Sequence, residues 1–224
     1  NIGLLLFPRL TQLDMNGPFE VFSRVAGAKV HLVWKTTDPV RSDTGLAMLP
    51  TTSFADCPQL DVVCVPGGPG VAALMEDEEV LAFLRRQAAG ARYVTSVCTG
   101  ALVLGAAGLL KGRRATTHWA SHDFLGALGA IPVQGRVVRD GNLLTGGGVT
   151  AGIDFALTLA AELMSPEAAQ AIQLQIEYAP APPFRSGTPG EAPAAVLEAA
   201  RSKGAAMRAD REAPVARVAA RLAG

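Results

Sequence analysis

The fold is decided by residues 92–110, which read Arg92-Tyr-Val-Thr-Ser-Val-Cys-Thr-Gly-Ala-Leu-Val-Leu-Gly-Ala-Ala-Gly-Leu-Leu110. The first part is an apolar run that is typical of a buried strand, and the second part is a run of small residues that favours a helix. A strand that turns directly into a helix holds its turn residue, Cys98, at the end of a sheet. The first N–H groups of that helix then point back at the sulfur and favour a thiolate. A small buried thiol used only for packing is the alternative interpretation.

The segments around this elbow alternate between strand and helix patterns. Strands are predicted at Ile2–Phe7, Lys29–Trp34, Leu60–Val65 and Tyr93–Val97, and helices at Gly17–Arg24, Glu76–Ala89, Thr99–Leu110, Ala120–Leu128 and Ala151–Leu163. Such alternation predicts an α/β fold, a doubly wound and mostly parallel sheet covered on both faces. Asp140-Gly141 predicts the turn of a hairpin over Val137–Leu144.

Ligands of such sheets bind beyond the carboxyl ends of the strands. The loops Pro8–Gly17, Pro66–Gly70 and Cys98-Thr99 all follow predicted strands, so we expect them to converge on one place. Residues 1–178 form the predicted α/β domain. Residues 179–224 are predicted to be a Pro-rich arm and an Ala/Arg-rich helix from about Ala194 to Leu222, broken near Pro214, which belong either to the same domain or to a dimer interface.

The composition limits the classes of function. Hydrophobic residues make up 49% and charged residues 18% of the 224 residues, as in a folded domain, and 20 basic residues balance 20 acidic ones. We therefore expect no nucleic-acid partner and no membrane surface as partner. The apolar runs are too short to span a bilayer, and Ile2–Phe7 lacks the flanks of a signal peptide. Cys57, Cys64 and Cys98 have unrelated spacings, so we expect no disulfide framework, no zinc site and a cytoplasmic location.

Asp14 is the candidate partner of Cys98, because it follows the first strand and would lie on the same side of the sheet. A capping or solvated carboxylate is the alternative for an Asp at this place. If the two groups are neighbours, their charges repel, so the pair keeps one proton between them. A protonated Asp14 beside a charged sulfur would supply a nucleophile and a proton donor.

The amides of Gly68 and Thr99 are candidate donors to developing negative charge, although Gly67-Gly68 is also typical of an ordinary turn. His118 is a possible base for Cys98, but a structural role is favoured, as it is for His122 and His31. Cys57 and Cys64 are interpreted as structural. Gly146-Gly-Gly148 lacks the pattern of a phosphate loop and is expected to pack closely against the Cys98 loop.

Three motifs together carry a family resemblance: Val65-Pro-Gly-Gly68, Ser96-Val-Cys-Thr-Gly-Ala101 and Leu13-Asp-Met-Asn-Gly-Pro18. They resemble the ThiJ/PfpI superfamily, which is related to class I glutamine amidotransferases, over about Ile2 to Leu163. Members with protease activity carry His directly after the nucleophile. Here that position is Thr99, so the resemblance does not imply a peptidase.

Further motifs resemble the isocyanide hydratase branch of that superfamily: Ala115-Thr-Thr-His-Trp119, Arg139-Asp-Gly-Asn-Leu-Leu-Thr-Gly-Gly-Gly148, Thr150-Ala-Gly-Ile-Asp-Phe-Ala-Leu157 and Glu177-Tyr-Ala-Pro-Ala-Pro-Pro-Phe184. This resemblance implies a flavodoxin-like sandwich, a homodimer, no metal and no organic cofactor. It also implies hydration of an isocyanide to an N-substituted formamide. Cys98 would attack the isocyanide carbon to give a thioimidate, Asp14 would donate a proton and then activate water, and Thr99 would order that water or hydrogen-bond the intermediate.

Two other hypotheses belong to different classes. AraC-family regulators share the Thr-Thr-His-Trp and triple-Gly features, but the sequence offers no stretch for a helix-turn-helix domain after the arm. A non-enzymatic redox or ligand sensor would use an exposed Cys98 thiol of low pKa that oxidises readily.

Overall fold

A computed structural model describes residues 1–223. Its strands are β1 (Ile2–Leu5), β2 (Val30–Trp34), β3 (Val40–Arg41), β4 (Ala47–Met48), β5 (Thr52–Ser53), β6 (Val62–Val65), β7 (Tyr93–Val97), β8 (Arg114–Ala115), β9 (Ile131–Pro132), β10 (Val137–Asp140) and β11 (Leu143–Gly146). Its helices are α1 (Gln12–Phe22), α2 (Val71–Leu74), α3 (Glu78–Gly90), α4 (Gly100–Ala106), a 3₁₀ helix (Trp119–Ser121), α5 (Phe124–Ala127), α6 (Ala151–Leu163), α7 (Pro166–Gln175) and α8 (Ala194–Ala223).

Seven strands of the described chain form the central sheet, in the order β10-β11-β7-β6-β1-β2-β5. All neighbours are parallel except β10 and β11, which form the predicted hairpin. The adjacent strands β1 and β6 lie at the centre of the sheet, and further strands lie on both sides of them. The predicted doubly wound α/β fold is therefore confirmed. In such a sheet the crevice for ligands lies at the carboxyl ends of the central strands.

Helices cover both faces of the sheet. On one face α1, α6 and α7 pack together, and on the other α3 and α4 pack against β6 and β7, with α5 against α4. Phe22 of α1 and Phe155 of α6 meet edge to face with ring centroids 5.8 Å apart. The short strands are buried on both sides, which explains why β1 and β6 read as continuous apolar runs.

The first helix begins five residues before its predicted start at Gly17. The N–H of Asp14 already donates to the carbonyl of Thr11 over 3.0 Å, so the turn before Gly17 is helical. Pro18 therefore lies inside the helix and not in its first turn. It forgoes the one hydrogen bond that its missing N–H would make to the carbonyl of Asp14. This difference places Asp14 on a rigid element and not in a loop.

Other boundaries also differ from the expectations. The predicted helix Ala120–Leu128 is divided into the 3₁₀ helix and α5, and the hairpin turn is Gly141-Asn142, one residue later than predicted. Two helices, α2 and α7, were not predicted. The last helix continues through Pro214 without the expected break. No helix of residues 1–223 is both long and apolar enough to cross a membrane.

The C-terminal helix returns to the body of the molecule after the irregular segment 179–193. It packs against α2, α4, α5 and the 3₁₀ helix. Arg217 forms a two-pronged ion pair with Glu76 (2.6 and 2.8 Å), and Arg208 forms another with Asp123 (2.9 and 2.6 Å). Val215 and Val218, which lie on either side of Arg217 in the sequence, are buried in the same contact. One side of the helix therefore covers the carboxyl end of the sheet.

Candidate active site

Cys98 lies at the elbow between β7 and α4 with a left-handed backbone (φ 54°), which is unfavourable for any residue with a side chain. Two hydrogen bonds hold it there: its N–H is shared by the carbonyls of Gly146 (3.0 Å) and Gly147 (2.8 Å). Its carbonyl accepts from the Thr117 hydroxyl over 2.7 Å. The triple-Gly segment thus packs against the Cys98 loop as predicted, and the Thr-Thr-His-Trp segment supports the elbow from the other side.

Gly100 is required directly after the elbow. A Cβ atom at this position would lie 1.9 Å from the carbonyl oxygen of Val65, a distance that no rearrangement of a flexible side chain could relieve. Helix α4 can therefore begin against the end of β6 only with glycine at this place. The resulting close approach brings the first turn of α4 next to the Pro66–Gly70 loop.

Asp14 is fully buried in the first turn of α1, with 0% of its surface exposed. Its Oδ2 accepts a hydrogen bond from the N–H of Gly67 over 2.9 Å. Its Oδ1 has no hydrogen-bond partner within residues 1–223. A capping or solvated carboxylate would be exposed or fully bonded, so neither alternative describes this side chain. A buried carboxyl oxygen with free capacity is instead available to a proton or a ligand.

Asp14 and Cys98 are close enough for each to shift the pKa of the other, although Oδ1 lacks an ordinary hydrogen bond in this structure. Burial raises the pKa of the Asp14 carboxyl group to about 7. Burial, followed by the negative charge of Asp14, raises the pKa of the Cys98 thiol. The expected lowering of the thiol pKa is therefore wrong, because desolvation outweighs the opposing effect of the Thr99 amide at the helix start. Because both pKa values are raised and that of the thiol stays the higher, a protonated Asp14 beside a charged sulfur is not the resting form, and the sharing of one proton stays a prediction.

Thr99 and Gly68 are joined to each other. The Thr99 hydroxyl oxygen accepts from the N–H of Gly68 over 3.0 Å, and both groups are buried. Gly68 has φ 140°, and a Cβ atom there would lie 2.5 Å from the backbone nitrogen of Thr11, so the turn requires glycine. The Gly68 N–H thus already donates a hydrogen bond to Thr99. Its role as an oxyanion donor stays a prediction, because this hydrogen bond would first have to break. The Thr99 amide, by contrast, faces the Cys98 sulfur.

The three histidines have structural partners. Nδ1 of His118 accepts from the N–H of Ala120 over 3.2 Å and caps the 3₁₀ helix. Burial lowers the pKa of His118, and the charge of Arg211 lowers it further, so this ring is neutral. His122 contacts the carbonyl of Val133 (3.1 Å), and His31 contacts Thr52 and Asn1 at the sheet edge. The hydrogen bonds of the described residues form no Cys98–His118 dyad.

Cys98 opens into a cavity of about 860 Å³. One wall is formed by the elbow, the Gly68-Pro69 turn and His118-Trp119. The other wall is the inner side of α8, whose lining residues include Ala200, Gly204, Ala205, Met207, Arg208 and Arg211. Cys98 lines this cavity although only 6% of its surface is exposed. Nothing in the sequence pattern of the Ala/Arg-rich tail predicted that it lines the site.

Arg211 is the functional candidate that the sequence analysis missed. It is 5% exposed, although arginine is almost never buried without a partner. Nη1 donates to the Ser121 hydroxyl (3.1 Å), Nη2 makes a long contact to the Gly68 carbonyl (3.5 Å), and Nε has no partner within residues 1–223. Arg208 and Arg211 are three residues apart, so both lie on the same side of the helix. This spacing is the one feature of the sequence that could have indicated a role for Arg211.

The described residues contain no group of three His, Cys, Asp or Glu side chains placed to hold a metal ion. Cys57 is half-buried and Cys64 is buried in β6, and neither lies in the cavity wall. The chemistry available at this site is therefore that of a thiol, a carboxyl group, oriented amides and a guanidinium group.

Comparison with known proteins agrees with this geometry. The chain is 67% identical to a protein of Pseudomonas putida named isonitrile hydratase, over 91% of this chain and 90% of the relative. A crystal structure of a ThiJ/PfpI family protein from Pseudomonas syringae has 47% identity and a TM-score of 0.93, and the match covers 96% of this chain and 89% of that one. An HTH-type transcriptional regulator of Pseudomonas aeruginosa is 30% identical over 80% of this chain and 50% of its own length. Residues 1–162 match the DJ-1/PfpI family, and the chain belongs to that family.

Proposed function

We propose that this protein is an enzyme that adds water to an isocyanide and releases an N-substituted formamide. The observation that carries the proposal is the burial of the Asp14 carboxyl group beside the Cys98 thiol, whose residue lines a cavity of about 860 Å³. The 67% identical relative named isonitrile hydratase supports the choice of substrate. Apolar lining residues such as Ala200 and Met207 suit an apolar substituent on the isocyanide nitrogen.

The first half of the reaction uses the proton that the pair shares. In the reactive form the proton is on Asp14 and the negative charge on Cys98. The sulfur bonds to the terminal carbon of the isocyanide while Asp14 delivers its proton to that same carbon. The product is a thioimidate, in which the carbon carries hydrogen, sulfur and a double bond to nitrogen. Asp14 is left as a carboxylate, with Oδ2 held by the Gly67 N–H and Oδ1 without another partner among residues 1–223.

The second half returns the proton. The Asp14 carboxylate takes a proton from water as the water oxygen bonds to the thioimidate carbon, and this proton passes to the nitrogen. The hydroxyl of the resulting adduct then gives its proton to Asp14 as the carbon–sulfur bond breaks. Formamide leaves, and the pair again holds one proton on Asp14 and the charge on Cys98. Each atom of one water molecule has entered the product, so no oxidant or reductant is consumed.

Thr99 supports this sequence in two ways. Its amide faces the sulfur and stabilises negative charge there in the attack and in the release. Its hydroxyl holds the Gly68 turn, which forms part of the cavity wall. Ordering of the attacking water by this hydroxyl stays a prediction, and so do the homodimeric assembly and the cytoplasmic location that the resemblance implied.

The non-enzymatic redox sensor receives less support from the structure. A sensor thiol is exposed and has a low pKa, whereas Cys98 is 6% exposed and burial raises its pKa. The cavity beside Cys98 instead favours the binding of a small molecule at the sulfur.

The test is the conversion of butyl isocyanide to N-butylformamide, measured by chromatography. We expect the wild-type protein to form the product and Cys98→Ala to lose all activity above background. Cys57→Ala is the matched control, because it removes a free thiol outside the cavity and should keep wild-type activity. If wild-type protein formed no formamide, or if Cys98→Ala kept normal turnover, the proposed function would be wrong.

A further inference from the structure

We propose that Arg211 of the C-terminal helix is a positioning residue of the active site, which stabilises negative charge on the Cys98 sulfur when the thiolate forms. The proposal deepens the proposed function, because the same pair performs the hydration chemistry. The proposal also means that α8 contributes to the same active site as residues 1–178, although the irregular segment 179–193 separates them in the sequence.

The placement of Arg211 is the first support. Its guanidinium group is buried against Ser121 and Gly68, which precede it by 90 and 143 residues in the sequence. Burying a cation without an acidic partner is costly, and the two contacts are to neutral oxygens. Nε remains without a partner within residues 1–223. Negative charge nearby stabilises such a group, and the two groups that supply it are the Cys98 sulfur and Asp210 of the same helix.

The charged groups around Cys98 decide where this charge is located. Asp14 of α1 repels negative charge on the sulfur. His118, which lines the same cavity as Cys98, is neutral. Arg211 of α8 attracts negative charge on the sulfur. Arg208 is already paired with Asp123 at the cavity rim. Asp43 acts on Asp14 from the β3–β4 side and raises its pKa, which also favours the proton on Asp14.

The asymmetry of these contacts is the second support. Arg211 interacts with Cys98, while the groups that influence Asp14 are Cys98, Gly67 and Asp43. A positive charge that acts on only one member of a pair shifts the shared proton to the other member. Arg211 thus promotes the form in which Cys98 is the nucleophile and Asp14 the proton donor. The pKa of the thiol is raised even with Arg211 in place, and without this positive charge it would be higher still.

The experiment measures the rate at which iodoacetamide labels Cys98 between pH 5 and pH 10, in the full chain, by mass spectrometry of the Cys98 peptide. This reaction requires thiolate but no isocyanide, so its result is independent of whether the proposed hydration occurs. Arg211→Gln removes the charge and keeps a donor for Ser121. We expect its labelling rate at pH 8 to fall about tenfold, which corresponds to one pKa unit, and the half-maximal pH to rise.

Two variants separate this charge effect from a structural one. Arg211→Lys keeps the charge and should retain most of the wild-type rate. Arg217→Gln breaks the ion pair with Glu76 on the same helix, outside the cavity wall, and should not slow labelling. Loosening of α8 alone would expose the sulfur and make labelling faster. A wild-type pH profile in folded Arg211→Gln, or an equal decrease in Arg217→Gln, would overturn the proposal.

If Arg211→Gln does not fold, Ser121→Ala gives the second route. It removes the hydroxyl that fixes Nη1 and leaves the charge free to move away from the sulfur. We expect a smaller decrease in the same direction, about twofold to threefold, and an unchanged labelling rate at Cys57. An unchanged rate at Cys98 in this variant would contradict the positioning role.

Discussion

Replacing Asp14 with Asn should make the stability of the protein less dependent on pH. The side chain is fully buried, and burial raises its pKa from 3.8 to about 7. Below pH 3.8 the carboxyl group is protonated in both the folded and the unfolded chain, so it costs nothing. Above that pH the unfolded chain loses the proton first, and the folded protein loses stability until the pH passes about 7. Each pKa unit corresponds to about 1.4 kcal/mol, so the full cost at pH 8 is roughly 4 kcal/mol.

Asn has nearly the same shape, and its Oδ1 can accept the hydrogen bond from Gly67, but it carries no proton to lose. The assay is urea unfolding of wild-type protein and Asp14→Asn at pH 5, 6, 7 and 8. Other titrating groups are common to both proteins and cancel in the difference. We expect the free energy of unfolding of Asp14→Asn, relative to the wild type, to rise by roughly 3 kcal/mol from pH 5 to pH 8. A difference that stays constant over this range would refute the burial of an ionisable carboxyl group at this place.

Three further substitutions test other parts of the account. Gly100→Ala puts a Cβ atom 1.9 Å from the Val65 carbonyl oxygen. We expect the free energy of unfolding, measured in urea, to fall by more than about 3 kcal/mol. A value near that of the wild type would contradict the close approach. Thr99→Val removes the acceptor of the buried Gly68 N–H and should cost about 1–3 kcal/mol in the same assay, with Thr99→Ser as the variant that restores it. Gly204→Leu projects into the open side of the cavity, where a Cβ atom meets nothing within 4 Å, and should lower kcat/KM for butyl isocyanide more than for methyl isocyanide. Equal losses for both substrates would argue against α8 as a wall of the substrate cavity.

The sequence was most informative where local signals and topology agree. The apolar run before Cys98 and the small residues after it predicted the elbow, and the alternation of strands and helices predicted the parallel sheet. Together these placed Asp14 and Cys98 at one end of the sheet. The start of α1 was missed because Pro18 is typical of a first turn, whereas here the helix tolerates the loss of one hydrogen bond in its interior.

The remaining features depend on long-range packing. The Thr99 amide lowers the pKa of Cys98 and burial raises it. The balance depends on how much water is excluded from the sulfur, and no local sequence pattern determines that amount. Arg211 lies in a tail whose composition is that of any solvated helix. Its burial follows from the docking of α8 through Arg208 and Arg217, and those ion pairs join segments that are far apart in sequence.

The most direct measurement is the mass of the Cys98 peptide during a single turnover with butyl isocyanide, stopped by rapid acid quench. The account predicts a transient increase equal to the mass of the isocyanide, on Cys98 and not on Cys57, that decays as N-butylformamide appears. Formamide released at the full rate while the Cys98 thiol stays unmodified, or the same rate in Cys98→Ala, would contradict a covalent bond between this sulfur and the substrate.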